Sequence, residues 1–431
     1  MNDNSFLVSA PGKVILFGEH GVVYGTPAIA AALNLRGYLL VTPSENPDII
    51  ELNFPDIELH HQWNRNELPW DELQKLIVFE DGKPVVNKEL VPDIIELLSG
   101  HLLHVNSKMH YTACRTFLYL YSHICSRETK GRKFTIRSAV PIGAGLGSSA
   151  CISVCLATAL GIVAGYISRA TYKIDEHVTE YDPALDFINN WSLVGEKCFH
   201  GNPSGIDNAV ATFGGGVFFQ RASKREEAPK MHNMRAFPPL PLLLTNTKVP
   251  RSTADLVGKV GRLYKNYHKC TEPILSSLEQ IVVQAHNIMA NSYFSETERS
   301  TLHDLVEMNH GLLVSLGVSH PALERVRMIS DEYRIGSTKL TGAGGGGCAI
   351  TLVTEGVVSS QLEKAIIDFE AEGFETIETM LGGRGVAFMS VEDVPSEEKE
   401  AFSVRKFCDI REPREMTEIL SNKKHQYWKY W

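Results

Sequence analysis

The chain has 431 residues, 43% of them hydrophobic and 22% charged, with a formal net charge of −9. That length predicts two packed domains, and the mild acidity argues against a general nucleic-acid binder, which carries a basic surplus. The eight cysteines form no CxxC pair, the opening "MNDNSFLVSAPGK" lacks a secretory signal's features, and no apolar run reaches membrane-spanning length, so a cytoplasmic protein without a membrane partner is expected.

In chain order, "NSFLVSAPGKVILFGEH" reads as a strand interrupted by a turn at Pro11-Gly12. "PAIAAALN" is small and apolar and fits either a strand or a short helix. "RGYLLVTPS" and "PDIIELNFPDIELHHQW" predict antiparallel strands with proline-marked turns, and apolar spacing over 86–125 predicts helices. "GRKFTIRSAV" predicts a strand, "PIGAGLGSSA" a glycine loop, and "SSACISVCLATALGIVAGYI" a helix of small residues packed closely on a sheet.

A helix is predicted over 182–200, with Asp182 capping, Pro183 in the first turn and Gly201 as the stop. A charged, proline-rich connector near 225–238 divides the chain into 1–230 and 231–395. Residues 253–330 are mostly helical by periodicity, and "TKLTGAGGGGCAITLVTEG" is a second glycine loop feeding a strand. The tail, 396–431, is charged and helix-prone. Strands come first and helices later in each half, which predicts an α+β fold.

Four stretches carry chemistry. In "PIGAGLGSSA", glycines let backbone N–H groups turn toward a ligand, and a helix starting at Ser148 or Ser149 adds its positive end. The serine hydroxyls suit phosphate or Mg²⁺, but a capped tight turn fits equally well. The P-loop pattern GxxxxGK[ST] is absent. The GxGxxG at Gly342, Gly344 and Gly347 precedes a strand where a dinucleotide fingerprint opens a helix, so that reading is rejected.

In "GEKCFHGNPSGIDNAVAT", a glycine-rich turn can bring Glu196 and Asp207 to one cleft, one for a metal and one for a hydroxyl proton. A solvated Glu and a capping Asp are the alternative. "APGKVILFGEHGVVYG" offers Lys13, Glu19 and His20, and a lysine near Asp207 would offset developing charge. "NTKVPRSTADL" offers Arg251 for a carboxylate and Thr253 for a phosphate, or a helix capped by Ser252 or Thr253. His101, His104, His110 and Cys114 lack the spacing of a metal site.

Together these stretches resemble the kinase family named for galactokinase, homoserine kinase, mevalonate kinase and phosphomevalonate kinase. The motifs "SAPGKVILFGEH", "PIGAGLGSSA", "GNPSGIDNAVAT", "LLTNTKVPRST" and "STKLTGAGGGGC" carry the resemblance, which spans about residues 5–390 and is loose over 60–110. It implies a two-lobed α+β fold with the active site in the cleft between lobes. It also implies phosphorylation, by ATP with Mg²⁺, of the primary alcohol of mevalonate for isoprenoid and sterol synthesis.

By the same resemblance Gly143, Ala144, Gly145, Leu146, Gly147, Ser148 and Ser149 form the phosphate loop. Ser149 and Glu196 match the Mg²⁺ ligands, Asp207 the catalytic base, and Lys13 the lysine beside it. Glu19, His20, Arg251 and Thr253 match residues near mevalonate or the γ-phosphate, and Asp56 and Ser138 match nucleotide contacts. A homodimer inhibited by farnesyl or geranyl diphosphates at the ATP site is expected, and 396–431 is an extension without an assigned role. The alternatives are a sibling small-molecule kinase, such as phosphomevalonate kinase or a galactokinase-like enzyme, and a non-catalytic ligand sensor on the same fold.

Overall fold

The computed structural model describes residues 4–173, 176, 181–220, 230–234, 237–290, 294–410, 412–422 and 425–431. Half of the 225–238 connector lies outside them. The first half begins with β1 (Phe6–Phe17), β2 (Pro27–Pro43), β3 (Ile49–Phe54) and β4 (Leu59–Asn64). There follow α1 (Trp70–Leu76), a small ladder of β5 (Phe79–Glu80) and β6 (Lys83–Pro84), α2 (Pro92–Ser99) and α3 (Lys108–Ile124). Then come β7 (Arg132–Ser138), α4 (Ser148–Ala164), β8 (Tyr172–Lys173), α5 (Ala184–His200), α6 (Ile206–Phe213), β9 (Gly216–Gln220) and β10 (Lys230–Met234). Because β10 pairs with β9, residues 230–234 belong to the first half's sheet.

The second half contains β11 (Leu240–Asn246), α7 (Thr253–Asn266), α8 (His268–Met289), α9 (Glu296–Ser315) and α10 (Pro321–Glu332). It continues through β12 (Gly336–Leu340), β13 (Cys348–Val353), α11 (Ser359–Ala371), β14 (Glu375–Leu381) and β15 (Ala387–Ser390). The tail adds α12 (Val404–Asp409), α13 (Pro413–Met416) and β16 (Lys429–Tyr430). No described helix is long and apolar enough to cross a membrane.

The fold is two-lobed α+β, and β2 joins the lobes. "PAIAAALN", open between strand and helix by its residues, is the first part of this 17-residue strand. One edge of β2 pairs with β1, and the other meets β9, β7 and, at Leu33, Leu381 of β14. The turn expected at Pro11-Gly12 is instead a register shift inside a continuous β1. Pro11 faces Arg36 and Lys13 faces Ala32, so β2 sets three residues, 33–35, against the single Gly12 there. That irregularity frees Leu33 to reach the second lobe.

Side-chain alternation explains the layers. Val8, Ala10, Leu39 and Val41 face one core, while Leu7, Tyr38 and Leu40 face another. The first core runs on into Leu242, Leu305 and Ile350 of the second lobe, so a single apolar mass spans both halves. Leu243 points the opposite way, into a third cluster with Leu313, Val326 and Phe369. The core containing Leu7 is completed by Phe402, Phe407 and Trp428, which makes the tail the second cover of the first sheet. Strands apolar on both faces require such a cover.

Candidate active site

β7 ends at Ser138 and α4 starts at Ser148, so the glycine loop sits between a sheet and a helix N-terminus, where unpaired N–H groups and the helix dipole favour an anion. Gly147 precedes the helix with φ of 75°, a left-handed conformation that excludes most side chains. A Cβ there would also come 2.8 Å from Lys13 Cγ. The Lys13 amide donates to the Leu146 carbonyl at 2.8 Å, tying β1 to the loop.

The short helix α6 enters the site with Asp207 in its first turn, anchored by Ile206, Ala209 and Val210 against Ala30 and Ala32 of β2. Lys13 Nζ lies 3.1 Å from Asp207 Oδ1. On α5, Glu196 is buried. Burial, and then the Asp207 charge, push its carboxyl up to about 7, with the Ser149 hydroxyl and the Lys13 ammonium pulling the other way. Among the described residues neither Glu196 Oε1 nor Ser148 Oγ has a hydrogen-bond partner, although both are buried. A carboxylate oxygen desolvated without a partner, beside serine hydroxyls, is a donor set that fits a hard divalent cation.

A cavity of about 670 Å³ opens from this cluster. Its polar end holds Lys13, Asp207, Ser148, Ser149 and the glycines 143, 145 and 147. Its other end is apolar, walled by Leu52, Phe54, Phe117, Ile136 and Leu156. Alternate loop residues turn away: Leu146 packs in the core, and the Ala144 carbonyl accepts from Arg251 Nη2 at 3.0 Å.

Several expected site residues have other occupations. Asp56 and Ser138 do not line the cavity. Asp56 accepts from Arg137 Nε and from the Ser138 amide, both at 2.7 Å, and Ser138 Oγ donates to the Val140 carbonyl at 3.0 Å. Arg251 is wedged between the two glycine loops, its other amino group donating to the Thr341 carbonyl at 3.1 Å. A side chain on Gly145 would collide with its guanidinium. Thr253 is exposed at the start of α7, where Ser252 provides the cap. Glu19 is buried against Lys339.

His20 Nε2 donates to the Ala343 carbonyl at 2.9 Å, which leaves Nδ1 as the bare nitrogen of the neutral ring; burial holds its basicity down. That Nδ1 is buried and has no partner among the described residues. Two residues escaped the sequence reading. His200 lies on α5 one turn after Glu196, and its Nε2 is 2.9 Å from Ser149 Oγ, so an i, i+4 search from Glu196 would have found it. Lys339 had no local signal.

Models of two families match the chain, "GHMP kinases N terminal domain" over residues 110–216 and "GHMP kinases C terminal" over 291–369. The chain is 51% identical to a mevalonate kinase of Candida albicans over the full length of both chains. The chain belongs to the mevalonate kinase family.

Within the mevalonate kinase family it is also 41% identical to the Saccharomyces cerevisiae protein, over 90% of each chain, and 35% identical to the human one, over 92% of this chain and 98% of that. Among solved structures, L. major mevalonate kinase in complex with R-mevalonate superposes with a TM-score of 0.61 at 21% identity, over 88% of this chain and 96% of that. A Lactococcus lactis galactokinase superposes with a TM-score of 0.55 at 16% identity, over 89% and 94%. Both structures share the two-lobed fold.

Proposed function

We propose that the chain transfers the γ-phosphoryl group of ATP to the C5 hydroxyl of (R)-mevalonate, giving 5-phosphomevalonate and ADP for isoprenoid and sterol synthesis. The observation that carries this reading is the Lys13–Asp207 pair, 3.1 Å apart at the rim of the glycine loop. Phosphoryl transfer asks chiefly for positioning and charge neutralisation.

The backbone of residues 143–149 and the start of α4 hold the phosphates. Asp207 orients the alcohol and takes its proton, while Lys13 stabilises the attacking oxygen and the transferred group. Ser149 and Glu196 would hold Mg²⁺. That ion would supply charge neutralisation to the phosphates at the Ser149 and Glu196 end of the site. His20 Nδ1 is the acceptor available to a substrate hydroxyl. The apolar end of the cavity suits the adenine, and it also suits the chain of a farnesyl or geranyl diphosphate acting as a feedback inhibitor. A cytoplasmic homodimer is the assembly proposed.

A coupled ADP-release assay with mevalonate, phosphomevalonate, galactose and homoserine tests the reading. Turnover confined to mevalonate is expected. Preference for another alcohol would make the chain a sibling kinase, and ATP binding without turnover on any of them would make it a sensor.

A further inference from the structure

Lys339 is fully buried at the end of β12, two residues before the second glycine loop. Its ammonium bonds the Glu19 carboxylate and, at 2.9 Å, the Leu340 carbonyl. The other Glu19 oxygen accepts from Asn309 Nδ2 of α9 at 3.4 Å. Both carboxylate oxygens are therefore engaged, and the Phe17 ring lies 6.0 Å from Lys339 Nζ. A buried ion pair is a poor device for stability, since apolar residues of similar volume often serve as well or better. What the pair connects is more informative.

Glu19 lies in the loop leaving β1, the strand that carries Lys13. The next residue, His20, holds a left-handed φ of 60° and donates to Ala343. Thr341 Oγ1 donates to the Ile15 carbonyl at 2.8 Å. Three ties, 19 to 339, 20 to 343 and 15 to 341, thus stitch the exit of β1 to the entry of the second glycine loop. Arg251 then connects Thr341 to the first loop. The charged tie is the most buried of the three and lies next to the strained His20.

We infer that Lys339 and Glu19 form a positioning pair that sets the His20 ring and the 341–347 loop against the strand carrying Lys13, and so fixes where the alcohol substrate sits. Glu19 acts through Lys339, its two carboxylate oxygens being taken up by Lys339 and Asn309. The inference rests on the kinase reading proposed above.

The test uses Glu19→Gln, Lys339→Met, the double variant and Glu19→Asp. Each charge-removing single variant leaves one buried charge unpaired, so its thermal midpoint falls by several degrees. The double variant removes both charges and regains the midpoint. A positioning role predicts that the double variant still has a mevalonate KM raised about tenfold, an ATP KM changed by less than about twofold, and faster amide exchange over 341–347. Glu19→Asp keeps both charges but shortens the reach, and should raise the mevalonate KM with little loss of midpoint. Wild-type KM and exchange in the double and Glu19→Asp variants would overturn the inference. A wild-type chain that phosphorylates no mevalonate sinks the kinase reading alone, because exchange over 341–347 still judges the pair.

Discussion

Lys13 and Asp207 meet 3.1 Å apart although they come from opposite ends of the first lobe, one on β1 and one on α6. Loss of a positioned base typically costs ~10²- to 10⁴-fold in rate. Asp207→Ala should therefore lose most turnover while ATP still binds, as read by nucleotide titration. Lys13→Met should lower kcat more than it weakens ATP binding. Near-normal kcat in either variant would remove that residue from the chemistry.

Glu196 gives the site a pH signature. Its carboxyl moves from an ordinary 4.5 up to about 7 on folding, so the folded chain holds a proton that the unfolded chain releases. Stability from this group is thus greatest below pH 4.5, falls as pH rises through 4.5 to about 7, and is flat above. Glu196→Gln should raise the ligand-free thermal midpoint at pH 8 and reduce this slope, while depressing Mg²⁺-dependent turnover. A midpoint at pH 8 lower than wild type would contradict a buried carboxylate whose desolvation outweighs the pull of Ser149 and Lys13.

Arg251 joins the two glycine loops through Ala144 and Thr341. Lysine has one ammonium and cannot reproduce both donations in the guanidinium plane. Arg251→Lys is expected to raise the KM values for ATP and mevalonate together, each by about tenfold. Steady-state kinetics with each substrate varied separately would show it, and a change confined to mevalonate would assign Arg251 to that substrate alone.

The tail should be indispensable to folding. Phe407 is fully buried in the cluster behind β1 and β2, so Phe407→Ala should cost about 3–5 kcal/mol. Removing residues 396–431 would bare the apolar face of the first sheet and yield aggregated protein. Urea unfolding and size-exclusion chromatography measure the two effects. A soluble, active 1–395 chain would show that the tail is dispensable.

What could be read in advance was local. The glycine loop, the helix after it and the turn between Glu196 and Asp207 announce themselves through residues a few positions apart. What could not be read depends on partners far along the chain. Lys339 finds Glu19 across 320 positions, and Arg137 gives its guanidinium to the carbonyls of Phe407, Cys408 and Ile410. Asp56 was expected near nucleotide, but no local pattern reveals that Arg137 and the Ser138 amide occupy its two oxygens. The alanine-rich start of β2 looks ambiguous because small residues suit either element. Pairing with β1 and β9, and close packing under α6, decide it.

The continuity of β2 also limits how the enzyme can move. A hinged clamshell needs a flexible crossing between two bodies, but here the crossing is a strand that pairs with β14 at Leu33 and is sunk in an apolar mass common to both halves. Swinging one half would tear that mass open. Any closure around a substrate would then have to come from short-range shifts of the backbone around the glycines, with Lys13 and Asp207 already 3.1 Å apart beforehand.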